Sequence, residues 1–150
     1  MNRMLIPLCM ALLFPACGNE EWIKFQPIDF DVEGTTLAKN RNNHSFTGTI
    51  GAGGGTILFV ANGKNASSGY LSEFCAEDTT ITVHDADLNG SFPKNLLDRD
   101  WGRVDILANA PHSTSITLTP NENRDERHFR FTFGAAYTIT EVELTQRGKE

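Results

Sequence analysis

The chain has 150 residues, 39% of them hydrophobic and 21% charged, which is the make-up of one folded domain and excludes a disordered chain. Thirteen Lys and Arg stand against 19 Asp and Glu, a formal net charge of −6; with no basic patch, this excludes a protein that grips nucleic-acid phosphates. The three cysteines, Cys9, Cys17 and Cys75, are too few for a disulfide framework or a cysteine-rich zinc site.

Residues 1–16 read as a signal segment. Arg3 precedes an uncharged, apolar run from Met4 to Ala16. Those 13 residues are too few for a helix across a bilayer core, which takes about twenty. Pro7 and Pro15 also interrupt a buried helix. The segment closes Leu13-Phe14-Pro15-Ala16-Cys17, which resembles the lipobox of bacterial lipoproteins. The resemblance implies cleavage before Cys17 and a lipid on its sulfur, with residues 17–22 as a lipidated terminus and linker. Each buried CH₂ of such a lipid contributes about 0.8 kcal/mol, so two or three acyl chains hold a protein on a membrane. Gly18-Asn19-Glu20-Glu21 resembles the surface-export signal of Bacteroidetes lipoproteins, which implies an outer-membrane protein facing outward, with a periplasmic orientation as the alternative.

From residue 23 onward, short runs of β-branched and aromatic residues lie between Gly, Asn, Asp and Pro. They predict strands near 23–32, 45–50, 55–61, 79–84, 101–108, 114–119, 127–133 and 137–145. Seven or eight such strands predict an all-β antiparallel sandwich. The glycine run 51–55 reads as a flexible hairpin. Residues 85–100 read as a long loop, with a helical turn at Lys94–Leu97. Ser113 to Thr119 alternates polar and apolar residues, and Phe129, Phe131 and Phe133 share one parity. Tyr137 and Ile139 are odd while Val142 and Leu144 are even, so a bulge near Thr140–Glu141 is expected if all four face inward.

Several residues suggest chemistry. Asp85, Asp87 and Asn89, followed by Gly90, form the opening half of a calcium loop, with hard oxygens at alternate positions. Leu96 stands where an EF-hand places its closing glutamate, and a solvated Asn-Gly turn is the plainer account. Tyr70, Phe74, Phe92 and Trp101 are candidates to stack on sugar rings, core packing being the alternative for each. His44, His84, His112 and His128 lack zinc-site spacing, and no Gly-x-Ser-x-Gly elbow or phosphate loop is present. Cys75 is expected to be a small buried hydrophobe. Asp78-Thr79-Thr80 resembles the short O-glycosylation motif of Bacteroidetes, with Thr79 as acceptor.

The stretch from Trp101 to Gly148 resembles the C-terminal half of a BACON domain, an immunoglobulin-like sandwich of secreted Bacteroidetes proteins. The resembling features are Trp101 opening a strand, Ile116–Thr119, and Asn121-Glu122-Asn123 followed by Arg124 or Arg127. Phe129–Phe133 and the closing Leu144-Thr145-Gln146-Arg147-Gly148 complete them. Gly53-Gly54-Gly55 before Thr56–Val60 is similar to the family's glycine-led second strand. Residues 62–100 depart from the pattern as an insert within a domain spanning 23–150. The resemblance implies a non-catalytic module associated with glycans or glycoproteins. A spacer or subunit of an envelope assembly and a calcium-stabilised adhesin are the alternatives.

Overall fold

A computed structural model describes residues 27–40, 45–77, 79–84, 94–107, 112–135 and 137–150. The described residues form eleven strands in two facing sheets, an all-β sandwich. The five-stranded sheet has the order β1 (Asp29–Glu33), β4 (Gly55–Asn62), β9 (Ser113–Leu118), β8 (Gly102–Ile106) and β7 (Lys94–Arg99). The six-stranded sheet has the order β2 (Leu37–Asn40), β3 (Ser45–Ile50), β11 (Thr138–Gln146), β10 (Arg127–Ala135), β5 (Leu71–Ala76) and β6 (Thr79–Thr82). Every neighbouring pair is antiparallel except β3 and β11, which run parallel.

Alternation places the core. Ile57, Phe59 and Ala61 of β4 point inward, as do Thr114, Ile116 and Leu118 of β9. Phe129, Phe131 and Phe133 of β10 face them from the other sheet. A string of rings runs through the sandwich: Phe30 lies 4.6 Å from Phe133, Phe133 5.4 Å from Phe59, and Phe74 4.9 Å from Phe131. Trp101 ends the string, 5.1 Å from Phe74 and 5.5 Å from Phe129. Aromatic pairs at such separations add about 0.5–1.5 kcal/mol each beyond the area they bury.

Three strands were not evident in the sequence, and bulges hide two of them. In β5, Glu73 pairs with Thr132 and Leu71 with Phe133, so Ser72 is an extra residue. Leu71 and Phe74, three apart, therefore both face inward, which breaks the period of two. In β7, Asn95 pairs with Asp105 and Leu97 with Val104, so Leu96 is extra. The region expected to hold a helical turn is thus an edge strand. β2 is four residues long and packs only Leu37 against the core.

Two other expectations are corrected. There is no bulge at Thr140–Glu141: β11 pairs with β10 without interruption from Thr138 to Gln146. The even positions Thr140, Val142, Leu144 and Gln146 all face inward, and Tyr137 is left exposed at the turn. Thr140 holds its buried place because its hydroxyl accepts from the Ile28 amide at 2.8 Å and donates to the Ile28 carbonyl at 3.1 Å. The glycine run is not a hairpin either. It carries the chain from β3 in one sheet to β4 in the other. Gly54 has φ of +71°, and a Cβ there would stand 2.2 Å from the Leu118 carbonyl oxygen, so only glycine suits it.

The sandwich has two distinct ends. The near end, where the described residues begin at residue 27, contains residues 62–70, Gly134 and Thr138. The far end contains residues 51–54, 99–102, 119–127 and 147–150.

Candidate functional site

Three of the depressions bordered by the described residues lie on the far half of the molecule. The largest, about 600 Å³, sits at the far end, with Trp101 as one wall and Thr79, Asp98, Arg99, Asn123 and Arg127 around it. A second, about 420 Å³, lies on the six-stranded sheet among Cys75, Glu77, His128, Arg130, Glu143 and Thr145. A third, about 520 Å³, continues across that sheet to β2, with Thr47, Gly48, Thr49, Glu143 and Thr145 in its lining.

Trp101 is positioned by its neighbours. It immediately precedes β8 at a tight reversal from β7, where Arg99 pairs with Gly102. Gly102 has φ of +154°, and a Cβ there would stand 2.1 Å from the Thr117 carbonyl oxygen. The Trp101 carbonyl accepts from the Thr119 amide at 2.9 Å. With Phe74 and Phe129 against it, the half-buried indole is rigid and still borders open space. Rigid aromatic walls beside polar side chains suit ligands with both apolar faces and hydroxyl groups. Arg127 and Arg99 supply donors: Arg127 reaches the Gln146 side-chain oxygen at 3.5 Å, and Arg99 the Asp98 carbonyl at 3.0 Å.

The other candidate aromatics do not join Trp101. Phe74 is 2% exposed and stacks on Phe131, so its ring belongs to the core. Tyr70 lies at the near end, where its carbonyl accepts from the Gly134 amide at 2.8 Å. Phe92 lies outside the described residues, as do Asp85, Asp87, Asn89, Cys17 and the signal segment. Thr79 is exposed at the start of β6 and borders the far-end depression, so a sugar carried on it would stand beside the cavity's mouth. Among the described residues, no group of three or more His, Cys, Asp or Glu side chains gathers as a metal site.

Cys75 corrects its expected burial. Phe74 and Ala76 face the core, so Cys75 between them faces outward. Its sulfur lies 3.3 Å from the Thr80 hydroxyl and accepts from Arg130 at 3.5 Å. That hydrogen bond, then its electrostatic interaction with Cys75, hold the Arg130 guanidinium above its ordinary pKa.

Sequence reasoning did not find the polar clasp that closes the far end. Asn121 is 1% exposed and Gln146 is fully buried. The Asn121 side chain donates to the carbonyls of Asp125 at 2.8 Å and Arg147 at 3.2 Å, and accepts from the Asn123 amide at 3.2 Å. Gln146 donates to the Thr119 carbonyl at 2.8 Å and the Ala52 carbonyl at 3.4 Å. Gly148 lies so close that a Cβ would stand 2.0 Å from the Arg124 oxygen. The clasp ties the crossover 51–54, the crossover 119–126 and the C-terminal segment into one unit. The available signal was the Asn in Asn121-Glu122-Asn123 and the Gln-Arg-Gly ending, which the sequence offers only as marks of the family resemblance.

An NMR structure of a protein from Bacteroides thetaiotaomicron is similar in fold, with a TM-score of 0.54 and 16% identity over 85% of this chain and 92% of that one. No protein-family model matches the sequence, and no curated protein does. At this identity the likeness carries the sandwich fold and nothing of its ligand.

Proposed function

We propose that this chain is a BACON-like lipoprotein of the bacterial outer membrane, anchored through Cys17, that recognises glycans or glycoproteins without catalysis. The observation that carries this reading is the place of Trp101. A braced indole walls an open, charged and hydroxyl-lined depression at the end opposite the point where residue 27 enters. Nine residues lie between Cys17 and Pro27, ten Cα-to-Cα steps with a reach of at most about 36 Å. A tether attached at the near end joins the sandwich at the end opposite the depression. The residues on which the family resemblance rests also support the reading, since Asn121, Gln146 and Gly148 act together as one structural unit beside that depression.

The test is a glycan array probed with the mature chain and with Trp101→Phe, which keeps the packing on Phe74 and Phe129 but reduces the aromatic wall. Binding by the parent, weakened in the variant at an unchanged melting temperature, is expected. No signal above background for the parent overturns the reading. Mass spectrometry of the native protein checks the lipid on Cys17.

A second reading, a subunit of an envelope assembly, is favoured by one edge. Among the four edge strands, β1, β2 and β7 all carry charged side chains, whereas β6 (Thr79-Thr80-Ile81-Thr82) carries none. The Val83 amide donates to the Ser72 carbonyl at 2.9 Å, so alternation directs the backbone groups of Thr80 and Thr82 outward. Such an edge accepts an added strand. Thr80→Pro removes one outward donor and is expected to abolish any partner captured this way.

A further inference from the structure

The three depressions adjoin one another. Glu143 and Thr145 line both depressions on the six-stranded sheet. Glu77 lines both the middle one and the one beside Trp101. They lie in a row from β2 across β3, β11, β10 and β5, then over the far end to Trp101. Strand spacing makes the part on the sheet about 19 Å long, before the step of about 10 Å to the other sheet.

From this we infer that the groove takes an unbranched, uncharged oligosaccharide chain lying across the six-stranded sheet, with one end stacked on Trp101. The inference rests on the glycan-binding reading and specifies the class of ligand. Length follows from the shared lining, because a ligand seated in one depression alone leaves the other two empty. Neutrality follows from the charges. Glu77, Glu143, Asp98 and Asp100 along the path stand beside Arg127, Arg130 and Arg99, a mixed field with one acid in excess that gives an acidic chain no advantage. Alternating carboxylates, guanidiniums and threonine hydroxyls offer acceptors and donors to successive sugar hydroxyls.

Glu77 adds an independent observation at the junction of the two depressions. It has φ of +51° and is the one non-glycine residue with a positive φ among the described residues. Its position in the tight turn between β5 and β6 calls for that conformation, which glycine or asparagine adopts at lower cost. A glutamate here sets a carboxylate on the path at the expense of backbone strain, the kind of trade found at binding sites.

The test is an array of neutral oligosaccharides, two to eight sugars long and covering the common linkages, with acidic chains beside them. The eight-sugar chain of the preferred linkage is expected to bind at least about tenfold tighter than its two-sugar unit. Arg130→Gln, in the middle of the path, is expected to weaken the long chain several-fold and leave the short one unchanged. Glu77→Gly is expected to raise the melting temperature while weakening the long chain. Equal binding at all lengths, lost only in Trp101→Phe, overturns the groove and leaves the glycan reading standing. Binding confined to acidic chains overturns the claim of neutrality. No binding at any length overturns the underlying reading as well.

Discussion

The two ends of the sandwich are closed by different means. At the near end, the entering strand is locked by buried contacts: Ile28 is fully buried, its amide and carbonyl both satisfied by Thr140, with the glycines at 69 and 134 close against its side chain. At the far end, Asn121 and Gln146 bind backbone carbonyls of three segments whose outer residues, Glu122 to Glu126, are exposed. A buried hydrogen bond leaves its partner stranded when broken, whereas one near solvent leaves a partner that water reaches. The near end is therefore the less forgiving of the two. The far end tolerates change, and it is the end that carries the open depression.

The largest effect is expected from Gly134→Ala. Gly134 has φ of +88°, and a Cβ there would stand 1.9 Å from the Thr138 oxygen and 2.8 Å from Ile28. Backbone strain and overpacking together predict a loss of about 4 kcal/mol, measured by chemical denaturation. A loss below about 1 kcal/mol would mean that the near end yields easily, and the contrast between the ends would collapse.

Next come paired substitutions that weigh one end against the other. Thr140→Val keeps the shape and strands the Ile28 amide and carbonyl, for an expected loss of about 3 kcal/mol. Thr140→Ser keeps the hydroxyl, and its loss should stay near about 1 kcal/mol for the missing methyl group. Asn121→Ala removes three hydrogen bonds at the far end, yet is expected to cost only about 2 kcal/mol because water replaces part of them. If Asn121→Ala proves costlier than Thr140→Val, the clasp is the principal lock and the ranking reverses.

A smaller effect of opposite sign is expected between the ends. Thr114 is fully buried, and its hydroxyl has no partner among the described residues. Thr114→Val has the same shape without the stranded oxygen, and is expected to stabilise the protein by about 1 kcal/mol. A destabilisation of that size would show that the hydroxyl is satisfied in solution.

How much of this was legible depended on the period of two. β9 and β10 alternate without interruption, so Ile116 and the phenylalanines declared both strand and face. β5 and β7 carry one extra residue each, and the same code failed there. In β11 the code was present but misread. A bulge at Thr140–Glu141 is what the sequence predicts if Tyr137 and Ile139 are to join Val142 and Leu144 inside. Thr140 is inside because a distant segment, Ile28, satisfies its hydroxyl, and no local pattern encodes a partner 112 residues away. The site was legible as one residue. Trp101 at the opening of a strand was noticed, but its companions Glu77, Arg127 and Arg130 come from the facing sheet, where pairing assembles them.

The smallest predicted effect lies one residue outside the clasp. Asn121 and Arg147 are joined by a neutral hydrogen bond, and the adjoining Glu122 and Lys149 by an exposed ion pair. The same two segments thus meet twice, once buried and once in water. The hydrogen bond from Lys149, then its charge, hold the Glu122 carboxyl below its ordinary pKa, and the reverse holds Lys149 above its own. The sign of each contribution follows. That of Glu122 is present above the carboxylate's unfolded value and fades as pH falls through the depressed one. That of Lys149 is present below the amine's unfolded value and fades as pH rises through the elevated one. Between those limits the pair is insensitive to pH, and salt screens it throughout. Glu122→Gln should leave the denaturation midpoint within experimental scatter at neutral pH, while NMR titration of the parent finds the Glu122 carboxyl below the usual range and returning toward it in high salt. A midpoint shift as large as that of Asn121→Ala would place the strength of the far end in its charges, and the buried amide would become a passenger.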